Sequence, residues 1–77
     1  METIRDDTNN TIGQNIRRLR IEKQIGQSEL VSKVQLLGVS ITRETLVKIE
    51  GGRQHIKLTQ LKAIKEVLKV SYDELLS

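Results

Sequence analysis

Apolar residues recur along this chain at helical spacing in four separate stretches. Ile12, Ile16 and Leu19 stand at i, i+4 and i+7 with Arg17, Arg18, Arg20 and Lys23 between them, which predicts an amphipathic helix over about 11 to 23. Leu30, Val34 and Leu37 form a second stripe, opened by Gly26 and Gln27 and stopped by Gly38. Leu46 and Ile49 share one face of a third, short segment that Thr42 caps and Gly51-Gly52 ends, since glycine reaches the left-handed conformation without a Cβ penalty. Leu58, Leu61, Ile64 and Leu68 predict a fourth helix. Ser71 then caps a last turn from Tyr72 to Leu76, with Asp73 and Glu74 at its positive end. No stretch alternates apolar and polar residues over a strand's length, and proline is absent. The fold class expected is all-α, with about five helices.

The first ten residues carry no apolar stripe, and Asn9-Asn10-Thr11 reads as a capping turn. Residues 1–10 are therefore expected to be a flexible arm and residues 11–77 the folded domain. A chain of 77 residues has room for one domain, and at that size only about 60% of the unfolded surface is buried.

Composition narrows the partners. The net charge is +3, but Glu2, Asp6 and Asp7 against Arg5 make the first ten residues net −2, so the remainder carries +5. Tyr72 is the one aromatic residue, which removes the stacking platforms used on single strands and RNA. A nucleic-acid partner would be duplex DNA. Cysteine is absent, which fits a reducing compartment. No apolar run approaches the roughly 20 residues needed to span a bilayer, so no membrane partner and a cytoplasmic location are expected. Catalysis has little to stand on, because the single histidine, His55, has no thiol, second histidine or carboxylate at a useful spacing. Gly51-Gly52-Arg53 lacks the strand-loop-helix context and the Lys-Ser/Thr ending of a phosphate loop. No enzyme activity, metal or cofactor is expected.

The chemistry concentrates between Ile41 and Arg53. With Leu46 and Ile49 turned inward, Arg43, Glu44 and Lys48 are left on the outward faces of a short helix. Arginine can donate a bidentate pair to guanine O6 and N7, and glutamate can accept from cytosine N4. The segment is a candidate recognition helix; the plainer reading is a solvated charged face, the commonest fate of such residues. Arg17, Arg18 and Lys23 fit that plainer reading, adding only long-range attraction.

Ile12-Gly13, Ile16-Arg17, Leu19-Arg20, Ile25, Gln27, Glu29-Leu30, Gly38-Val39-Ser40, Ile49-Glu50, Gly52, Leu61, Ile64, Leu68, Val70-Ser71 and Asp73-Glu74-Leu75-Leu76, in this order, resemble the lambda-repressor and Cro-like helix-turn-helix domains of the XRE family. The resemblance runs from about residue 11 to the end. It implies a compact five-helix DNA-binding domain whose second and third helices form the helix-turn-helix, with the helix at about 42–51 in the major groove. It implies further that Thr42, Arg43, Glu44, Thr45 and Lys48 face bases, and that Gln27, Arg53 and His55 contact phosphates. Arg20 and Glu50 match the positions of a structural ion pair between the first and third helices. The implied function is transcriptional regulation, as a phage or bacterial repressor, with an operator bound by a homodimer.

Two features depart from the family's pattern. Gln35, Leu36 and Leu37 precede Gly38 as an insertion and further residues separate Ser40 from the third helix, so the turn is longer than the family's tight one. Ile56 stands where the family often has proline, which leaves that loop less constrained. Leu36-Leu37 also supports a different expectation, a protein-interaction or antitoxin-like module on the same helices, because two adjacent leucines in a turn can form an apolar patch. Tyr72, Leu75, Leu76 and the same leucine pair are the candidates for a dimer contact, against ordinary core burial.

Overall fold

The computed structural model of the chain describes residues 4–77, with side chains from residue 11 onward. Five helices follow one another: α1 (Ile4–Glu22), α2 (Gln27–Leu36), α3 (Arg43–Glu50), α4 (Leu58–Leu68) and α5 (Tyr72–Leu76). There is no strand among the described residues. No helix among them is long and apolar enough to cross a membrane.

The helices surround one core. Ile16, Leu30, Val34, Leu46, Ile49, Ile64, Leu68 and Leu75 are almost completely enclosed, and every helix contributes to that set. α3 packs against α1 and α2, while α4 closes the other side of α2 and α5 lies on α1. Asn15 Nδ2 in α1 donates to the Leu75 carbonyl at 2.9 Å, tying the last turn back across the chain.

The first helix corrects the boundary expected at residue 11. Its backbone is already helical at Ile4 and runs through Asn9, Asn10 and Thr11 without a capping turn. Residues 1–3 of the expected arm lie outside the described residues. Propagation explains the difference: once a packed nucleus exists, each further residue gains one backbone hydrogen bond for the dihedrals it fixes, so modest local preferences for a turn are overridden.

Helix ends follow local chemistry. Thr42 accepts from the Thr45 amide at 3.1 Å at the start of α3, and Ser71 and Glu74 form a reciprocal box at the start of α5. The Ser71 backbone N–H, 2.8 Å from Glu74 Oε1, holds the Glu74 carboxyl below its ordinary value. A depressed carboxyl stabilises the fold above its unfolded pKa, and that contribution fades as pH falls through the lowered folded value. The end of α3 is a Schellman turn, with Gly52 N–H on the Ile49 carbonyl at 3.0 Å and Arg53 N–H on the Lys48 carbonyl at 2.9 Å. It is Gly52, at φ 75, that takes the left-handed conformation, while Gly51 at φ −86 does not. α1 closes in the same way, but with Gln24 at φ 59 in the glycine position.

Two apolar positions are placed otherwise than the stripes predict, and one candidate dimer contact proves to be core. Leu37 falls one residue beyond α2 and is half exposed, and Val31 fills the core instead. Leu58 is the first residue of α4 and is 69% exposed, because it lies round the helix from the buried face formed by Gln60, Leu61, Ile64 and Leu68. Leu75 is fully enclosed and is no surface for a partner, whereas Leu76 and Tyr72 remain exposed. Ile56 packs against the core, so the loop between α3 and α4 is anchored at that point despite lacking a proline.

Candidate functional site

α3 presents two unlike faces. Leu46 and Ile49 are 0% and 1% exposed against the other helices. On the outer side Thr42, Arg43, Glu44 and Lys48 are exposed and Thr45 is half-buried. Thr45 spends its hydroxyl locally, accepting from Thr42 Oγ1 at 3.0 Å. Among the described residues, the side chains of Arg43, Glu44 and Lys48 have no hydrogen-bond or ion-pair partner. The structure therefore brings one cation, one anion and a second cation together on one short rod, all available to a ligand.

The C-terminal end of that rod is fixed by a buried polar cluster. Arg20 Nε donates to Glu50 Oε2 at 2.8 Å and Arg20 Nη2 to Glu50 Oε1 at 3.0 Å, a fork-to-fork pair between α1 and α3. Both side chains are more than nine-tenths enclosed. The third direction of the guanidinium is used as well, Nη1 donating to the Ile25 carbonyl at 2.9 Å. Gln27 joins from the first turn of α2, its Nε2 donating to Glu50 Oε1 at 3.1 Å. No buried side-chain polar atom is left unpaired among the described residues. Three helices thus meet at one carboxylate.

Gly13 explains how α1 comes so close. A Cβ added there would strike the Ile49 carbonyl oxygen and lie 3.1 Å from its carbon and 3.2 Å from that of Glu50, all backbone atoms that cannot swing away. Its absence lets the two helices touch at the level of Glu50.

The N-terminal end is reached through residues 37–42, the lengthened connection. Gln35 Nε2 donates to the Ile41 carbonyl at 2.7 Å and Gln60 Nε2 to the Ser40 carbonyl at 3.1 Å. Neither glutamine was singled out from the sequence. Gln60 carried a signal nonetheless, since it lies four and eight residues before Ile64 and Leu68 and so shares their inward face. Gln35 carried none beyond its place near the end of α2.

Arg53 and His55 occupy the loop after α3, and both are exposed. Among the described residues, no three His, Cys, Asp or Glu side chains gather where a metal ion could be held. Shallow surface grooves occur among the described residues, one of them beside the half-exposed Leu37 between α2 and α4.

Compared with known proteins, the chain matches no family model, no curated protein and no solved structure.

Proposed function

We propose that this chain binds double-stranded DNA sequence-specifically and acts as a transcriptional regulator, a repressor of phage or bacterial type. In this reading α2 and α3 are a helix-turn-helix of lambda-repressor-like, XRE type, and α3 lies in the major groove. The observation that carries it is the two-faced α3: an enclosed apolar side, a C-terminal end locked by a buried ion pair, and a solvent side of unpartnered Arg43, Glu44 and Lys48. Groove reading needs such a rod, because side chains discriminate bases only when the backbone beneath them is held still.

Arg43 pairs with guanine through O6 and N7, and Glu44 accepts from cytosine N4, each good pair contributing about 1–3 kcal/mol of discrimination. Glu44 also repels phosphate, which lowers nonspecific affinity while sharpening choice. Thr42, Thr45 and Lys48 complete the base-facing set. Arg53 and His55 meet the flanking backbone. Gln27 commits one amide hydrogen to Glu50 and has a second for a phosphate oxygen. Gly26 caps α2 without a side-chain hydrogen bond, so the first-turn amides of that helix are open to the same anion. A single short helix reads few base pairs, so the operator is bound by two copies, at half-sites about 34–36 Å apart.

Selection from a random duplex pool tests this directly. Enrichment of a palindrome is the expected result, and no enrichment at low salt would end the proposal. Arg43→Ala should then relax preference at one base position; equal weakening on every sequence would make Arg43 a phosphate contact instead.

A protein-binding role has one observation in its favour. Leu36 is 85% exposed and stands beside the half-exposed Leu37 at a shallow groove with Val67. Salt separates the two roles: duplex binding falls steeply as salt rises through counterion release, while an apolar contact persists.

A further inference from the structure

We propose, resting on the reading of α3 as the DNA-reading helix, that Gln35 and Gln60 are positioning residues that set its pitch and thereby its base preference from outside the interface. Their targets are two consecutive carbonyls immediately before the helix. Ser40 O accepts from Gln60 Nε2 at 3.1 Å, and Ile41 O accepts from Gln35 Nε2 at 2.7 Å. One donor comes from α4 and the other from α2, so the segment that delivers Thr42 is gripped from two helices.

The grip on the α4 side is itself fixed. Gln60 is 4% exposed, and its Oε1 accepts from the Lys57 amide at 2.9 Å. That bond orients the side-chain amide, leaving its NH2 for Ser40. The Ile41 side chain is buried in the core, and Gly38 at φ +86 turns the chain as it leaves α2. A tight turn would set the angle between α2 and α3 by its own backbone geometry. Six residues cannot, and here the angle is set by two side-chain amides.

The consequence follows from where α3 is already pinned. At its far end Glu50 is tied to Arg20 and Gln27, so freedom at Thr42 becomes rotation about that end. Eight residues make a rod about 12 Å long, and a shift of about 1 Å at its free end tilts it by about 5°. Arg43 and Glu44 move roughly three-quarters or more of the shift; Lys48, close to the pivot, moves about a quarter of it. Loss of the grip should therefore blur the bases read by Arg43 and Glu44 and spare the one nearest Lys48.

Gln35→Met tests this, since the side chain is exposed at the end of α2 and methionine keeps its length and volume without the donor. Gln60→Met is the second variant. Relative affinities would be measured on the preferred duplex and on each single-base change, and the orientation of α3 against α1 and α4 by amide residual dipolar couplings of the free protein. The expected result is roughly a tenfold loss of discrimination confined to the Arg43 and Glu44 positions, with a tilted α3 in both variants. Unchanged discrimination, or uniform weakening across the panel with α3 unmoved, would overturn it. Should the unsubstituted protein prefer no duplex, the DNA reading fails by itself, and the dipolar couplings still decide whether the glutamines hold the helix.

Discussion

The two ends of α3 are held by different chemistry. At the C-terminal end a carboxylate and a guanidinium, both enclosed, satisfy each other and draw in Gln27 and the Ile25 carbonyl, directly beside the point where Gly13 lets α1 touch α3. At the N-terminal end the bonds are neutral: a threonine hydroxyl caps an exposed turn, and two glutamine amides hold the carbonyls before it. Charged, desolvated partners are expensive to separate, because the survivor is left without water or counter-charge. Neutral hydrogen bonds contribute less, and those of Thr42 and Gln35 come from exposed side chains that can exchange them for water, while Gln60 is enclosed. The end beside the core carboxylate is thus the more strongly held one, and the end beside Arg43 and Glu44 is held by weaker, neutral bonds.

The largest test of that asymmetry is Glu50→Ala. Stranding the Arg20 guanidinium should cost about 3–5 kcal/mol, which for a domain this small lowers the melting temperature by roughly 12 °C or more. Replacing Arg20 and Glu50 together by apolar residues of similar volume should recover a large part of the loss. A melting curve unchanged by Glu50→Ala would remove the rigid end from the comparison.

Gly13→Ala comes next. The new methyl meets only backbone of α3, so the helices must separate, at about 1–3 kcal/mol; thermal unfolding of the variant reads the cost directly. If the variant melts with the parent, α1 and α3 are not in the close contact described.

Thr42→Ala should have the smallest effect, about 1 kcal/mol, the usual worth of a threonine N-cap. Its mark should be local. Hydrogen exchange should quicken in the first turn of α3, at Thr45 and Leu46, while the Ile49 and Glu50 amides stay protected. Equal loss at both ends would mean that α3 opens as one unit and that its ends are not independently held.

Much of the scaffold was legible because it depends on neighbours a few residues apart. The stripe of Ile16 and Leu19, the Thr42 and Ser71 caps and the Gly52 stop are decided within one turn of helix, and each stands where the pattern puts it. The start of α1 was not legible, since local signals at Asn9-Asn10-Thr11 compete with propagation from the packed part of the helix. Leu37 and Leu58 lie on apolar stripes yet are exposed, Leu37 because α2 ends before it and Leu58 because it sits at the margin of the face that α4 buries. The Arg20–Glu50 pairing entered the sequence reading only through family resemblance; thirty residues of separation leave no local trace. Gln60 gave a faint trace as a polar residue on an inward stripe, and Gln35 gave none.

What the chain settled by itself is the existence and type of its helices, the caps at Thr42 and Ser71 and the set of charged residues left on the outside of α3, because backbone geometry and capping act over three or four residues. Which end of α3 is rigid, and what fixes its angle, was decided only by the tertiary structure. Those depend on a carboxylate, a missing methyl and two amides meeting groups far away or across a loop, and such meetings exist only once the helices have packed.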